Sequence, residues 1–344
     1  MYIYVLDKSL KKIGLIDNYV SLIWTTRYYE AGDFELYVPV EQRFIDLLQI
    51  GYYLQIESSE YTMIVESINL KTDVENGNYM TVSGRSAESI LSRRIVANRV
   101  NTNNTQIEML ANYLIEWNIT DPIVEKDLRQ INEVAVTSET KGFAETVEGQ
   151  YFGDNVYDII VQNCQSYGYG FKMPLVNGKF TFEMYAGVDR TRSQKDNLPA
   201  VFSSEFENLV NTEYTYDTQE LKNVALVAGE GEGAARKTAF SGTVSGLERR
   251  EMYVDARDLS SEGTTSSKYI SILKNRGKEK LAETEAFPEY VGEVISFPEY
   301  CGLGDIVEVK NEFGMTATAR IIEIIESDST SGHTRIPTFD EWSV

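Results

Sequence analysis

From Tyr2 to Val82 the chain alternates apolar and polar side chains with a period of two, a pattern that half-buried β-strands satisfy and helices do not. Tyr2-Ile3-Tyr4-Val5-Leu6 is followed by a polar turn at Asp7-Lys8-Ser9 and then by Lys12-Ile13-Gly14-Leu15-Ile16. Further strands are expected at Ser21–Thr25, Phe34–Val38, Tyr52–Ile56, Thr62–Glu66 and Tyr79–Val82. Asn76-Gly77 favours the paired positive φ angles of a tight hairpin turn. One short helix, about Glu41 to Gln49, follows Pro39 and presents Phe44, Leu47 and Leu48. Short strands in succession with few crossovers predict a barrel or a sandwich.

The middle third is more helical. Thr105 and Glu108 have capping-box spacing, and Ile107, Leu110, Ala111, Leu114 and Trp117 then fall on one face. A second helix starts near Asp154, carries Val156, Ile160, Cys164 and Tyr167, and stops at Gly168. Strands at Phe171–Pro174 and Lys179–Met184 are expected to join through Asn177-Gly178. Strands return from Val201, interrupted by one long helix, about Ser266 to Ala286, that ends before Pro288. Its apolar stripe is Tyr269, Ile272, Leu273 and Leu281, and Gly277 in its middle allows close approach by a neighbour. The run from Gly51 to Ile68 and the run from Gly304 to Ile324 share a glycine turn, a strand, a short connection and a second strand, a faint internal repeat.

Composition then excludes chemistry. With 53 acidic and 32 basic residues the net charge is -21, so phosphate backbones should be repelled, and no Lys/Arg stripe interrupts the acidity. The two cysteines, Cys164 and Cys301, cannot build a disulfide framework and are expected as small buried hydrophobes. No signal peptide and no spanning apolar run is present, so synthesis in a reducing cytosol is expected. The single histidine, His333, lies among small polar residues that predict an exposed loop. One histidine and two cysteines fall short of a zinc site plus a catalytic partner. Ala228-Gly229-Glu230-Gly231-Glu232-Gly233 lacks the Gly-Lys-Ser/Thr ending of a phosphate loop, and its glutamates repel phosphate; a hairpin tip is expected. Asp73-Val74-Glu75-Asn76-Gly77-Asn78 lacks the closing glutamate of a calcium loop and is taken as a turn. No catalytic, cofactor-binding or metal residue is assigned.

Several stretches carry a family resemblance. They include Ala31-Gly32-Asp33-Phe34-Glu35-Leu36-Tyr37-Val38-Pro39, Val82-Ser83-Gly84-Arg85-Ser86-Ala87-Glu88-Ser89-Ile90-Leu91, Gly153-Asp154-Asn155-Val156, Asp189-Arg190-Thr191, Val201–Leu209, Asn223–Gly231 and Gly302–Val307. In this order and spacing the chain resembles the siphophage tail-hub family, tail-tip proteins related in fold to the baseplate hub of contractile phages.

The resemblance implies a mainly β fold with an α+β middle: two similar β-barrel domains, residues 1–85 and 201–344, the second with the long helix inserted at about 266–286, and a helix-containing outer domain at 86–200. It implies a homotrimeric ring between the tail tube or distal tail protein and a spike or receptor-binding fibre. Tape-measure protein and DNA would pass as cargo. It places the protein in the virion tail tip, with assembly in the host cytoplasm, as a minimal hub without a hydrolase or fibre extension, not an enzyme and without a cofactor. An acidic lumen that repels DNA is a further expectation. Two other readings remain open from the residues: a cell-wall hydrolase using two carboxylates, and a carbohydrate-binding adhesion module using exposed tyrosines.

Overall fold

In the computed structural model, which describes residues 1–73, 77–284, 289–314 and 316–340, the N-terminal alternation is realised as strands. These are β1 (Ile3–Leu6), β2 (Lys12–Ile16), β3 (Ser21–Arg27), β4 (Asp33–Pro39), β5 (Tyr53–Ile56), β6 (Thr62–Ile64), β7 (Ser67–Asp73) and β8 (Gly77–Arg85), with α1 (Gln42–Leu47) between β4 and β5. One layer runs β2-β1-β5-β6 and the other β3-β4-β8-β7. Between them lie Ile3, Val5, Leu22, Trp24, Phe34, Leu36, Leu54 and Val82, with Phe44 and Leu48 closing one end. Residues 74–76, which are half of the Asp73–Asn78 turn, lie outside the described residues.

The middle unit comprises β9 (Val100–Gln106), α2 (Ile107–Ile115), α3 (Lys126–Arg129), β10 (Val134–Val136), β11 (Thr146–Tyr151), α4 (Val156–Tyr167), β12 (Gly170–Lys172), β13 (Leu175–Val176) and β14 (Lys179–Tyr185). The expected capping box does not form. Thr105 still belongs to β9, paired with Val147, so Gln106 takes the cap position. Glu108 is buried and accepts the backbone N–H of Lys141 at 2.9 Å. At α4 the cap is Asn155, one residue later than expected; its side chain accepts the Tyr157 N–H at 2.9 Å. Gly168 ends that helix at φ 74°, where a side chain would be strained. Asn177 and Gly178, at φ 50° and 76°, form the expected turn into β14, but the strand expected at Phe171–Pro174 is split, with β12 ending at Lys172 and β13 starting at Leu175 after Pro174.

The C-terminal third supplies β15 (Val201–Ser203), β16 (Leu209–Thr215), β17 (Val224–Ala228), β18 (Thr238–Ser241), β19 (Glu251–Asp255), α5 (Ser266–Ala282), β20 (Glu289–Val294), β21 (Ile306–Lys310), β22 (Thr316–Ser329) and β23 (Gly332–Phe339). More than the helix is inserted here. β17 pairs with β18 and β19, and α5 lays Tyr269, Ile272 and Leu273 on Ala225, Val227 and Val254. Gly277 makes that approach possible, since a Cβ there would stand 2.6 Å from the Ser241 Cβ. Residues 285–288, which include the expected helix stop at Pro288, lie outside the described residues. Both glycine-led hairpins form: β5 with β6 after Gly51 (φ 81°), and β21 with β22 after Gly304 (φ 86°).

The long strand β22 fixes the architecture. It pairs antiparallel with β3, from Glu323 opposite Arg27 to Ser329 opposite Ser21, and so fuses the N- and C-terminal units into one sheet. The main path of that sheet runs β16-β20-β23-β22-β3-β4-β8-β7. Among the described residues its two ends, β16 and β7, each pair on one side only, and hydrogen bonding closes neither end unit into a barrel.

Candidate assembly surface

The residues singled out for chemistry are dispersed. His333 lies on β23 rather than in a loop, opposite Asp328, with its Nε2 3.8 Å from a Glu326 oxygen. Cys164 and Cys301 are buried in different cores, and burial raises both thiols, Cys301 to about 11. Neither is a thiolate nucleophile at neutral pH. The glycine-rich run forms the connection from β17 to β18, and the Glu230 carboxylate accepts both the N–H (2.9 Å) and the hydroxyl (2.5 Å) of Ser261. Those bonds hold it below the usual carboxylate range and fill the place an anion would need. Among the described residues no three His, Cys, Asp or Glu side chains cluster as a metal site.

The fused sheet presents a continuous second face, away from the cores. Strand register places Glu213, Val291, Thr338, Glu323 and Arg27 in one row. The next row holds Ile336, Ile325, Thr25, Asp33 and Arg85. A third holds Thr334, Ser327, Ile23, Glu35, Ser83 and Ser67. Lys71 stands opposite Tyr79 near the β7 edge. Ion pairs tie this face together: Arg27 meets Glu323 at 2.7 Å and Asp33 at 2.6 Å, and Arg85 meets Glu66 at 2.8 Å. The rows, Lys71 and Glu66 together carry three cations (Arg27, Lys71, Arg85) and five anions (Asp33, Glu35, Glu66, Glu213, Glu323), a net of -2, and they are rich in hydroxyls.

Where the three units meet, Tyr28 is fully buried. Its hydroxyl accepts the Gly187 N–H at 3.1 Å and donates toward the carbonyls of Gly168 and Tyr185 at 3.2 and 3.3 Å. Its ring occupies space that a side chain at Gly170 or Gly304 would need. Beside it Asp305 accepts the Val188 N–H at 2.8 Å and pairs with Arg190 at 2.6 Å, both side chains largely buried. Glu88, also fully buried, accepts the Met173 N–H at 2.7 Å, and burial raises its pKa.

A polar cleft of about 300 Å³ separates α4 from α5, lined by Tyr151, Asp154, Asp158, Gln162, Arg276 and Glu279. Burial there raises the Glu279 carboxyl to about 7, against the opposing pull of Arg276 and the Tyr151 hydroxyl. Nothing in the sequence marked Tyr28 or Glu279, and Asp305 and Arg190 stood only within two separate resemblance stretches; the fold brings their partners to them.

These features belong to a scaffold whose units are locked through sheet pairing and buried contacts. The chain matches the Siphovirus ReqiPepy6 Gp37-like protein family over residues 2–339. It belongs to this siphovirus protein family. Three solved structures share its mostly β fold along nearly the whole chain. The 43 kDa tail protein of prophage MuSo2 from Shewanella oneidensis aligns at TM-score 0.61 and 13% identity, covering 99% of this chain and 98% of that one. The tail protein from Neisseria meningitidis MC58 aligns at 0.59 and 14% identity, covering 99% and 96%. Prophage tail protein gp18 from Listeria monocytogenes EGD-e aligns at 0.55 and 14% identity, covering 99% and 94%. No curated protein is similar to it in sequence.

Proposed function

We propose that three copies of this chain close into a hub ring at the virion tail tip, joining the tail tube or distal tail protein to a spike or receptor-binding fibre. The observation that carries the reading is the eight-strand path whose end strands, β7 and β16, each pair with one neighbour only among the described residues. Unpaired edges are templates for pairing with another chain, and β7 of one copy meeting β16 of the next is a heterologous contact that closes by rotation.

Size argues for three copies. At about 4.8 Å between strands and about 40° of tilt, two copies (2 × 8 strands) give a barrel about 32 Å across between backbones, and three (3 × 8) about 48 Å. Side chains take about 6 Å from each wall, so two copies leave no clearance around a duplex about 20 Å wide, whereas three leave about 35 Å. Three copies also give a wide enough passage for tape-measure protein.

With the second face of the sheet as the lumen wall, its three cations against five anions support the expectation of an acidic lumen. An acidic, hydroxyl-rich wall offers DNA few cations to displace its counterions.

Sedimentation equilibrium and electron-microscopy class averages of the purified protein test the reading. Trimers with three-fold or pseudo-six-fold appearance are expected. A monomer that persists at high concentration, with no ring in the images, sinks it.

A further inference from the structure

The sheet of the inserted unit has one face covered by α5 and one face bare. On the bare face Phe240, Leu226 and Tyr253 stand in a single row across β18, β17 and β19, set by the register Leu226↔Phe240 and Leu226↔Tyr253. Phe240 is 49% exposed and Tyr253 56%, and Leu247, in the connection from β18 to β19, is fully exposed. Arginines hold both ends of the row: the Arg249 guanidinium lies 5.1 Å from the Phe240 ring centre and that of Arg236 lies 6.0 Å from Tyr253. Exposed aromatics braced by arginine are the composition of interface hot spots, and a monomer has no use for such a row in water.

Charge identifies what covers it. Residues 236–257 hold five cations (Arg236, Lys237, Arg249, Arg250, Arg257) and three anions (Glu248, Glu251, Asp255), a net of +2, in a chain of -21 whose remainder is therefore -23. The middle unit carries the converse. Around α3, residues 121–129 hold Asp121, Glu125 and Asp127 against Lys126 and Arg129, a net of -1. In the same segment Ile123, Val124 and Leu128 are exposed, Leu128 by 80%. One chain thus displays a basic aromatic patch and an acidic aliphatic patch, neither covered by the described residues of that chain.

We infer that the Phe240–Leu226–Tyr253 face of one copy docks on the 121–129 segment of a second copy, a head-to-tail clasp between inserted and middle units. It rests on the ring reading for its closure, since head-to-tail contacts either close or propagate. The clasp lies on different units from the β7 and β16 edges, so it adds a second contact between the same two copies, with avidity as the consequence. Its opposed charges steer the approach and make it sensitive to salt.

Directional cross-linking tests it. A tagged Leu247→Cys chain and an untagged Leu128→Cys chain are co-expressed and treated with a short bismaleimide; the native Cys164 and Cys301 are buried and give little background. A covalent heterodimer is expected from the pair, with neither single variant cross-linking above wild type. Rings in electron micrographs without the heterodimer overturn the clasp and leave the ring reading standing. Neither rings nor heterodimer overturns both, and heterodimer without rings supports the clasp and removes the ring. Leu247→Cys chains that cross-link to one another overturn the head-to-tail arrangement. In the uncross-linked protein, Arg249→Glu is expected to weaken self-association about tenfold, and adding Glu125→Arg to restore it; failure of the restoration counts against the pairing.

Discussion

Gly304 and Tyr28 share one space: a Cβ on Gly304 would stand 2.3 Å from the Tyr28 Cε2, and the Gly304 backbone sits at φ 86°. Gly304→Ala therefore meets both a clash and a strained backbone at the point where the three units meet. A loss of about 2–4 kcal/mol in unfolding free energy is expected, read from denaturant melts with an unchanged slope. Tyr28→Phe is expected to cost less, about 1–2 kcal/mol, because it keeps the ring and removes only the hydroxyl's bonds to the Gly187 N–H and to the Gly168 and Tyr185 carbonyls.

The Asp305–Arg190 pair is buried, with side chains 6% and 14% exposed, whereas Lys310 and Glu205 pair at the surface, 39% and 67% exposed. Asp305→Ala strands Arg190 and the N–H groups of Val188 and Gly302. A cost of about 3–5 kcal/mol is expected there, against less than about 1 kcal/mol for Lys310→Ala. Equal effects in thermal melts would contradict the burial argument.

Glu279 has a pH signature with a definite sign. Its carboxyl is raised from 4.5 to about 7 by burial, with Arg276, Lys280 and Tyr151 opposing the rise and Asp154 adding to it. A raised acid favours the proton-bound folded state, so its stabilisation is full below 4.5 and is lost as pH rises to about 7. A decline on the order of 2–3 kcal/mol across that window is expected in wild type and absent in Glu279→Gln. Hydrogen exchange along α5 at pH 5 and pH 8 checks it; protection in wild type that rises with pH would refute the sign.

Gly277 is where α5 touches its sheet, with the Ser241 Cβ and the Val227 Cγ2 at 2.6 and 2.8 Å from an added Cβ. Helix propensity alone would make Gly277→Ala favourable by about 1 kcal/mol. Overpacking is expected to win, with a net loss of about 1–3 kcal/mol confined to the inserted unit. Exchange protection should fall in β17, β18 and α5 while that of β3, β4 and β8 is kept.

Local signals were legible in the sequence and distant ones were not. Strands β1 to β6, β8 and β14, the stop at Gly168 and the stripe of α5 follow from period, turn residues and glycine, which act over a few residues, whereas β7 and the short β13 were not among the expected strands. The capping box at Thr105 failed because ladder pairing with Val147 outweighed a local cap. The fusion of β3 with β22 has no local trace, since each strand alternates in the same way whichever neighbour it takes. Of the candidate surface, the exposed row Phe240–Leu226–Tyr253 required three strands drawn from separate stretches to be aligned. Glu279 reads in sequence as an ordinary helix-surface glutamate until α4 is laid beside it.

The β3–β22 ladder also sets a clock on biogenesis. Ser21 pairs with Ser329, and 329 − 21 = 308 residues separate them. At about 5–20 residues per second, a ribosome spends roughly 15–60 s between making the first strand and making its partner. During that interval β3 has β4 on one side and an open edge on the other. The sheet that carries both β7 and β16 is complete only when the last strands have been made, so on the proposed ring a chain broken off early lacks one of its two edges.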